Sequence, residues 1–307
     1  MRSSILNLRL GFIKTDPIIS VAEQLIYSVY RLSFENAEEN WESTGFFYKV
    51  ILPDGLQSDL MVTAKHSIEN ASHVSFTVRR WIGDDPIRSP SFVRIRTPMY
   101  RELVVEHDEE DLAAILTAPY FKKLQLRDGR YPLTFSFGQE HIPNDIDCDA
   151  IMQVVMAGAP IGQYDEFNNH AIVRQGITAS HPGFRYQGKN QFLVDIAAHE
   201  GSSGSPIFSW GPYSFNRSSG EYELHLQPHC KLVGILSSGL EIDQTEGQAV
   251  LSRQHAHLGV AVRANALLAL AKAAEQRIVS VRSESGPLTV PFDNADGWTI
   301  DDIVSSA

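Results

Sequence analysis

The sequence predicts a mostly β protein. It reads as two successive sets of short strands, each suited to an antiparallel barrel or sandwich, with a helical lead-in and a C-terminal helix. Three observations carry this. Short runs rich in Val, Ile, Phe and Tyr recur between residues 45 and 116, broken by turn residues. A second series of such runs extends from 152 to 262. Ala and Leu, both strong helix formers, crowd residues 264–276. The 307 residues suffice for one large core or two smaller ones.

Taken in order, Asp16 and Pro17 make an N-cap and first-turn pair. Ile18, Val21, Leu25 and Val29 then recur at helical spacing, so residues 16–31 read as a helix or an irregular amphipathic lead-in. The acidic stretch 35–42 reads as a solvated connection. Residues 45–52 form a β-type run closed by Pro53-Asp54-Gly55, whose residue types favour a turn. Further runs lie at 60–64, 74–78, 93–96, 103–105 and 112–116. Residues 117–150 are less regular and read as joining two halves. The second series comprises 152–158, 171–174, 191–194, 222–226, 232–236 and 258–262. The resulting division is a lead-in at 1–40, a first β unit at 41–125, a linker at 126–150, a second β unit with its helix at 151–277, and a tail at 278–307. The tail contains Gly286-Pro287, Pro291 and scattered acids, and is expected to be extended or weakly ordered.

A formal net charge of −11 argues against nucleic acid as a partner, since phosphate binding needs clustered Lys and Arg. No apolar run approaches the roughly 20 residues of a membrane span, so no membrane partner is expected. The first ten residues begin like a signal peptide, but Asn7, Arg9 and Lys14 interrupt the apolar region and no small-residue cleavage site follows. Cys148 and Cys230 are the two cysteines, and free thiols in a cytoplasmic protein are the expectation, with a single bridge as the alternative.

Residues 200–208 hold a serine, Ser203, between small residues and directly before an apolar run. Gly201 and Gly204 keep the backbone bare on both sides of it. Such a stretch is an ordinary turn unless a base and an orienting acid accompany the serine, because a serine nucleophile needs a histidine to take its proton and that histidine needs a carboxylate to fix its tautomer. His66 ends the short run 62–66, where a strand end lets a side chain leave the sheet for a cleft. Asp111 directly precedes the apolar run 112–116, which would anchor it, whereas Asp108 lies in a polar run that faces water.

Together these segments resemble the chymotrypsin-like serine proteases. Thr63-Ala64-Lys65-His66 resembles the histidine motif, Asp111-Leu112-Ala113-Ala114 the aspartate motif, and Gly201-Ser202-Ser203-Gly204-Ser205-Pro206 the nucleophile motif. They stand in the order His, Asp, Ser, separated by 45 residues (111 minus 66) and 92 (203 minus 111), and both spacings suit the family. Residues 43–47 resemble the glycine-containing strand before the histidine, and residues 232–239 the strand that lines the substrate pocket. Residues 173–179 and Asp195, eight before the serine, resemble the bacterial HtrA/Deg branch.

The resemblance implies two antiparallel six-stranded β-barrels with the site between them, and a serine endopeptidase acting on polypeptides without metal or other cofactor. Ser203 would be the nucleophile, His66 the base and Asp111 its orienting acid, while the N–H groups of Gly201 and Ser203 would form the oxyanion hole. Ser237 would support Asp111, and the backbone of Ser237, Ser238 and Gly239 would pair with substrate as an added strand. Ala197, six before Ser203, would floor the pocket, with Gly239 and Gly259 leaving its walls open and Glu200 at its mouth. This lining predicts cleavage after an uncharged, apolar residue.

Departures from the family are informative. Ser202 stands where secreted digestive members have an aspartate that grips a freshly cut N-terminus, so activation is expected not to use N-terminal insertion. Ser205 replaces the usual second glycine. The roughly 30 residues after the helix are below domain size, so no PDZ domain of the kind common in HtrA proteins is expected. The Ser at 205 also breaks the Gly-x-Ser-x-Gly of a hydrolase elbow, and Ser203 stands where a zinc-protease motif beginning at His199-Glu200 needs its second histidine. His225, His229, Cys230, His255 and His257 are too loosely spaced to specify a metal site. The alternative is a protease fold whose catalysis is latent or lost, serving as a scaffold that binds a regulatory protein through the N-terminal segment or the tail.

Overall fold

The structure is a computed structural model that describes residues 20–80, 91–129, 132–216, 219–246, 249–285 and 299–303. Helix α1 (Val21–Ser28) opens it. The N-cap is Ser20, which accepts from the Glu23 N–H at 3.1 Å while the Glu23 carboxylate accepts from the Ser20 N–H at 2.7 Å. Asp16 and Pro17 lie outside the described residues. The expected lead-in contains more than a helix, because strand β1 (Val29–Glu35) follows α1 without a break. Leu32 and Phe34 are buried at every second position, a period of two that overrides the helical spacing upstream.

Half of the acidic stretch is likewise strand. It ends β1 and starts β2 (Asn40–Ile51). Only residues 36–39 turn, with Asn36 Oδ1 accepting the N–H groups of Glu38 and Glu39. The first half continues with β3 (Gln57–Thr63), the one-turn helix α2 (Lys65–Ile68), β4 (His73–Arg80), β5 (Phe92–Pro98), β6 (Val104–Glu106) and β7 (Ala113–Leu116). Helix α3 (Ala118–Asp128) comes next and ends at Gly129, whose φ of 75° suits a glycine cap. Tyr120, Phe121 and Leu124 make its buried face, interrupted by Lys122, Lys123 and Gln125, which is why residues 117–128 read as irregular. The two-residue strand β8 (Pro132–Leu133) pairs with β4.

The second half holds β9 (Gln153–Gly158), β10 (Ile172–Thr178), β11 (Gln191–Asp195), β12 (Pro206–Ser209), β13 (Gly211–Asn216), β14 (Glu221–His229), β15 (Leu232–Glu246) and β16 (Ala249–Arg263). Helix α4 (Ala266–Ser285) follows, and last comes β17 (Thr299–Ile303).

Six of these strands close into a barrel in the order β10-β11-β16-β15-β12-β9. The strands of the first half form an open path, β17-β5-β4-β1-β2-β3-β7-β6, so of the two closed barrels that the resemblance implies, the described pairings close one. The run 222–226 is a strand but lies outside the barrel, in a β13–β14 hairpin that leaves Tyr222 and Leu224 exposed.

Helix α4 runs past residue 277 to Ser285, and its Leu267, Leu270, Ala274 and Ile278 bury into the same core as the first half. The tail then adds β17 antiparallel to β5 at the edge of the first sheet. Arg127 fixes it further, donating to the Ile300 carbonyl at 2.9 Å. One core runs through the first half and across the junction to Val155, Phe208 and Ile235, while Met156, Phe192, Val194 and Ile207 fill the interior of the second half. Neither Cys148 nor Cys230 is in a disulfide. Among the described residues no helix is long and apolar enough to cross a membrane.

Candidate active site

Three loops from the two halves converge at the junction. His66 lies in α2, just past the end of β3 rather than on the strand itself, and its side chain is half exposed. Asp111 ends the loop between β6 and β7, and fully buried Leu112 anchors the chain directly after it. The polar run before Asp111 folds on His107, whose Nδ1 accepts from the N–H groups of Glu109 and Glu110 at 3.1 Å each, and Asp108 stays exposed.

The Asp111 carboxylate is fully engaged. Its Oδ1 accepts the His66 backbone N–H at 2.9 Å, its Oδ2 lies 2.8 Å from His66 Nδ1, and Ser237 Oγ donates to the same Oδ2 at 2.6 Å. For His66, the hydrogen bond to Asp111 is the largest influence and holds the imidazole above the ordinary histidine range against the opposing effect of burial. For Asp111, burial pushes the carboxyl up, but the hydrogen bonds from His66 and Ser237 together outweigh it and hold it below the usual carboxylate range. An ionised Asp111 can only accept, so the neutral imidazole carries its proton on Nδ1 and leaves Nε2 as a base.

The serine loop is fixed from both halves. Gly201 and Gly204 sit at φ values of 80° and 84°, and a Cβ on Gly204 would lie 2.1 Å from the Thr44 carbonyl oxygen. Only a glycine fits both constraints. The Ser203 carbonyl accepts from the Thr44 N–H at 2.9 Å and from Ser43 Oγ at 2.8 Å. Fully buried Thr44 donates its hydroxyl to the Gly201 carbonyl at 2.8 Å and accepts from the Ala159 N–H at 3.0 Å. The Glu200 carbonyl accepts from the Ile161 N–H at 2.6 Å, and Ile161 reaches it with a φ of 53°.

These bonds hold the peptide planes on both sides of Gly201 and so set the direction of its N–H. Among the described residues, neither the Gly201 N–H nor the Ser203 N–H has an acceptor. Two unpaired donors beside one serine are what a developing oxyanion requires. The Ser203 hydroxyl itself donates to the Ser237 carbonyl at 3.2 Å, and among the described residues no hydrogen bond joins it to His66. Ser237 thus touches both Asp111 and Ser203.

Of the predicted pocket residues, Ser237, Ser238 and Gly239 follow one another on β15, and Gly239 pairs with Gly259 of β16. Ala197 is half-buried and Glu200 is exposed at the start of the serine loop. Gly259 differs from expectation. A Cβ there would meet Leu236 Cδ1 at 2.7 Å and Val194 Cγ2 at 3.0 Å, so its missing side chain makes room for packing and not for an open wall. Sequence reasoning missed Thr44, Ile161 and Arg174, each of which braces the serine loop from a distant segment. Among the histidines weighed for a metal, the His225 and His229 rings stack at 5.0 Å, and Ser214 Oγ lies 2.6 Å from His225 Nε2.

No protein-family model matches the chain. No curated protein matches it either. Among solved structures it is similar to a thermostable serine protease from an extremophilic microorganism, at 11% identity and a TM-score of 0.44, covering 82% of this chain and 99% of that one. It is also similar to the protease Anisep from Arthrobacter nicotinovorans, at 14% identity and a TM-score of 0.45, covering 82% of this chain and 96% of that one. A serine endoprotease from Yersinia pestis is similar at 14% identity and a TM-score of 0.44, covering 85% of this chain and 68% of that one. At such identities and scores, only the site's own geometry assigns roles to residues.

Proposed function

We propose that the chain is a serine endopeptidase that cleaves polypeptides through an acyl-enzyme. The observation that carries this is the linked set Ser237–Asp111–His66, with bonds of 2.6 Å and 2.8 Å, beside Ser203, whose own N–H and that of Gly201 have no acceptor among the described residues. In this reading the Ser203 hydroxyl turns from the Ser237 carbonyl to His66 Nε2, gives up its proton there and attacks the scissile carbonyl. The Gly201 and Ser203 N–H groups stabilise the oxyanion, each worth about 3 kcal/mol in the transition state. His66 then returns the proton to the leaving amine, and water releases the acyl group by the same route. Asp111 keeps the imidazole in the productive tautomer. The backbone of Ser237 to Gly239 pairs with the substrate, and Ala197, itself uncharged, favours an apolar side chain before the cut.

A second reading, a latent protease-fold scaffold, is favoured by one observation, the engagement of the Ser203 hydroxyl by the Ser237 carbonyl. A fluorophosphonate probe separates the two. The full chain is expected to be labelled, and Ser203→Ala, with an unchanged circular dichroism spectrum, is not. A folded parent that resists the probe supports the scaffold and sinks the endopeptidase.

A further inference from the structure

The serine loop has a third brace, from a side chain that no part of the mechanism above uses. Arg174 lies on β10, and its side chain reaches the loop from the barrel wall. Its Nη2 donates to Ser202 Oγ at 2.9 Å, and its Nη1 donates to the Ala197 carbonyl. Ser202 is fully buried. Arg174 Nε is also buried and has no hydrogen-bond partner, and among the described residues no carboxylate pairs with the guanidinium. Burial accordingly pulls Arg174 below the usual arginine range.

Arg174 is half-buried, and a partly desolvated cation without a counterion carries a cost that its contacts must offset. Here the two acceptors are 28 and 23 residues away in sequence and bracket the stretch 197–202. That stretch contains Gly201, which carries one of the two unpaired donors. Among the described residues it has an internal backbone tie from the Ser202 N–H to the His199 carbonyl at 3.0 Å. Contacts from outside also hold it: the Ile161 N–H on Glu200, Thr44 on Gly201, the Ser205 N–H on the Ser202 carbonyl, and Arg174 on both ends. The planar fork of a guanidinium suits this task because it reaches two oxygens in a fixed geometry, whereas an ammonium on a flexible stem is a single point of attachment.

We propose that Arg174 is a positioning residue that holds residues 197–202 in the conformation presenting the Gly201 N–H, an inference that rests on the endopeptidase reading. The cation that braces the loop belongs to the folded sheet itself.

The test uses the full chain and three variants, Arg174→Met, Arg174→Lys and Ser202→Ala. Arg174→Met keeps the stem and removes the fork. Its labelling rate by the fluorophosphonate probe is expected to fall about 100-fold, the scale of a misplaced reacting geometry. Arg174→Lys should recover part of that rate, and Ser202→Ala should lose several-fold. The pH midpoint of labelling should stay at the parent's value in all three, because His66 and Asp111 are untouched. Amide hydrogen exchange across 197–202 should be faster in Arg174→Met. An Arg174→Met chain that folds, labels at the parent's rate and exchanges like the parent overturns the proposal. If Arg174→Met fails to fold, Ser202→Ala decides: parental labelling and exchange overturn the proposal, and slower labelling with faster exchange upholds it. If the parent itself is unlabelled, the endopeptidase reading fails, and the exchange comparison alone still decides whether Arg174 holds the loop.

Discussion

Thr44→Val is the perturbation that most directly tests how the first half holds the serine loop. The two side chains have nearly the same shape, so the substitution removes a hydroxyl and little else. Thr44 is fully buried, and its Oγ1 serves the Gly201 carbonyl at 2.8 Å and the Ala159 N–H at 3.0 Å. Both of those groups lie in buried residues, so valine strands a donor and an acceptor at once. Each stranded group costs about 1–3 kcal/mol, and partial relaxation places the sum near 3 kcal/mol. Freed from Thr44, the Gly201 peptide loses one of the two restraints on its N–H, and loss of one oxyanion donor lowers the rate about 100-fold. Urea unfolding followed by circular dichroism measures the first effect, and probe labelling below the transition measures the second. Thr44→Ser keeps the hydroxyl and gives up one methyl, about 0.8 kcal/mol, so it should label like the parent. A valine variant within about 0.5 kcal/mol of the parent and with an unchanged labelling rate would refute the claim that Thr44 couples the halves.

Three further outcomes are expected. The acid limb of the labelling profile should lie above the ordinary histidine value of about 6.5, because Asp111 raises His66. Asp111→Asn should move it down and cut the rate by about 10⁴-fold; an unmoved limb would separate Asp111 from His66. The same pair sets a sign for stability. The raised His66 contributes below about pH 6.5 and loses that contribution as pH rises through its folded value, while the lowered Asp111 contributes above about pH 3.9 and loses it as pH falls through its folded value. The stability gap between parent and Asp111→Asn should therefore be widest between those limits. Ser205→Ala should stabilise the fold by about 1 kcal/mol, since Ser205 Oγ is buried without a hydrogen-bond partner. A lower urea midpoint would show that the hydroxyl is satisfied in solution.

By itself the sequence determined whatever depends on near neighbours. Short apolar β-type runs specified most strands, the Ala- and Leu-rich run specified α4, and the motifs around His66, Asp111 and Ser203 singled out three residues that the fold brings to one junction. Each of these signals is read within a handful of positions, because strand and helix periods and tight-turn chemistry are local. Where two local signals overlapped, the wrong one was read: the helical spacing of Val21, Leu25 and Val29 masked the period-two burial of Leu32 and Phe34 that makes β1.

Only the tertiary structure decided what lies far apart. Thr44 meets Gly201 across 157 residues, and Arg174 meets Ser202 across 28. Neither side chain differs in type from countless solvated ones, and although both lie in segments that carry a resemblance, nothing in those segments shows which loop the side chain reaches. Closure of the barrel in the second half and the return of the tail to β5 are also pairings between distant strands, fixed by which edges remain open once the cores have formed. The candidate site residues were legible because reactivity demands particular side chains in particular local settings. The residues that aim them were not, because aiming a group needs only a donor or acceptor at the right point in space, and many sequences can supply one.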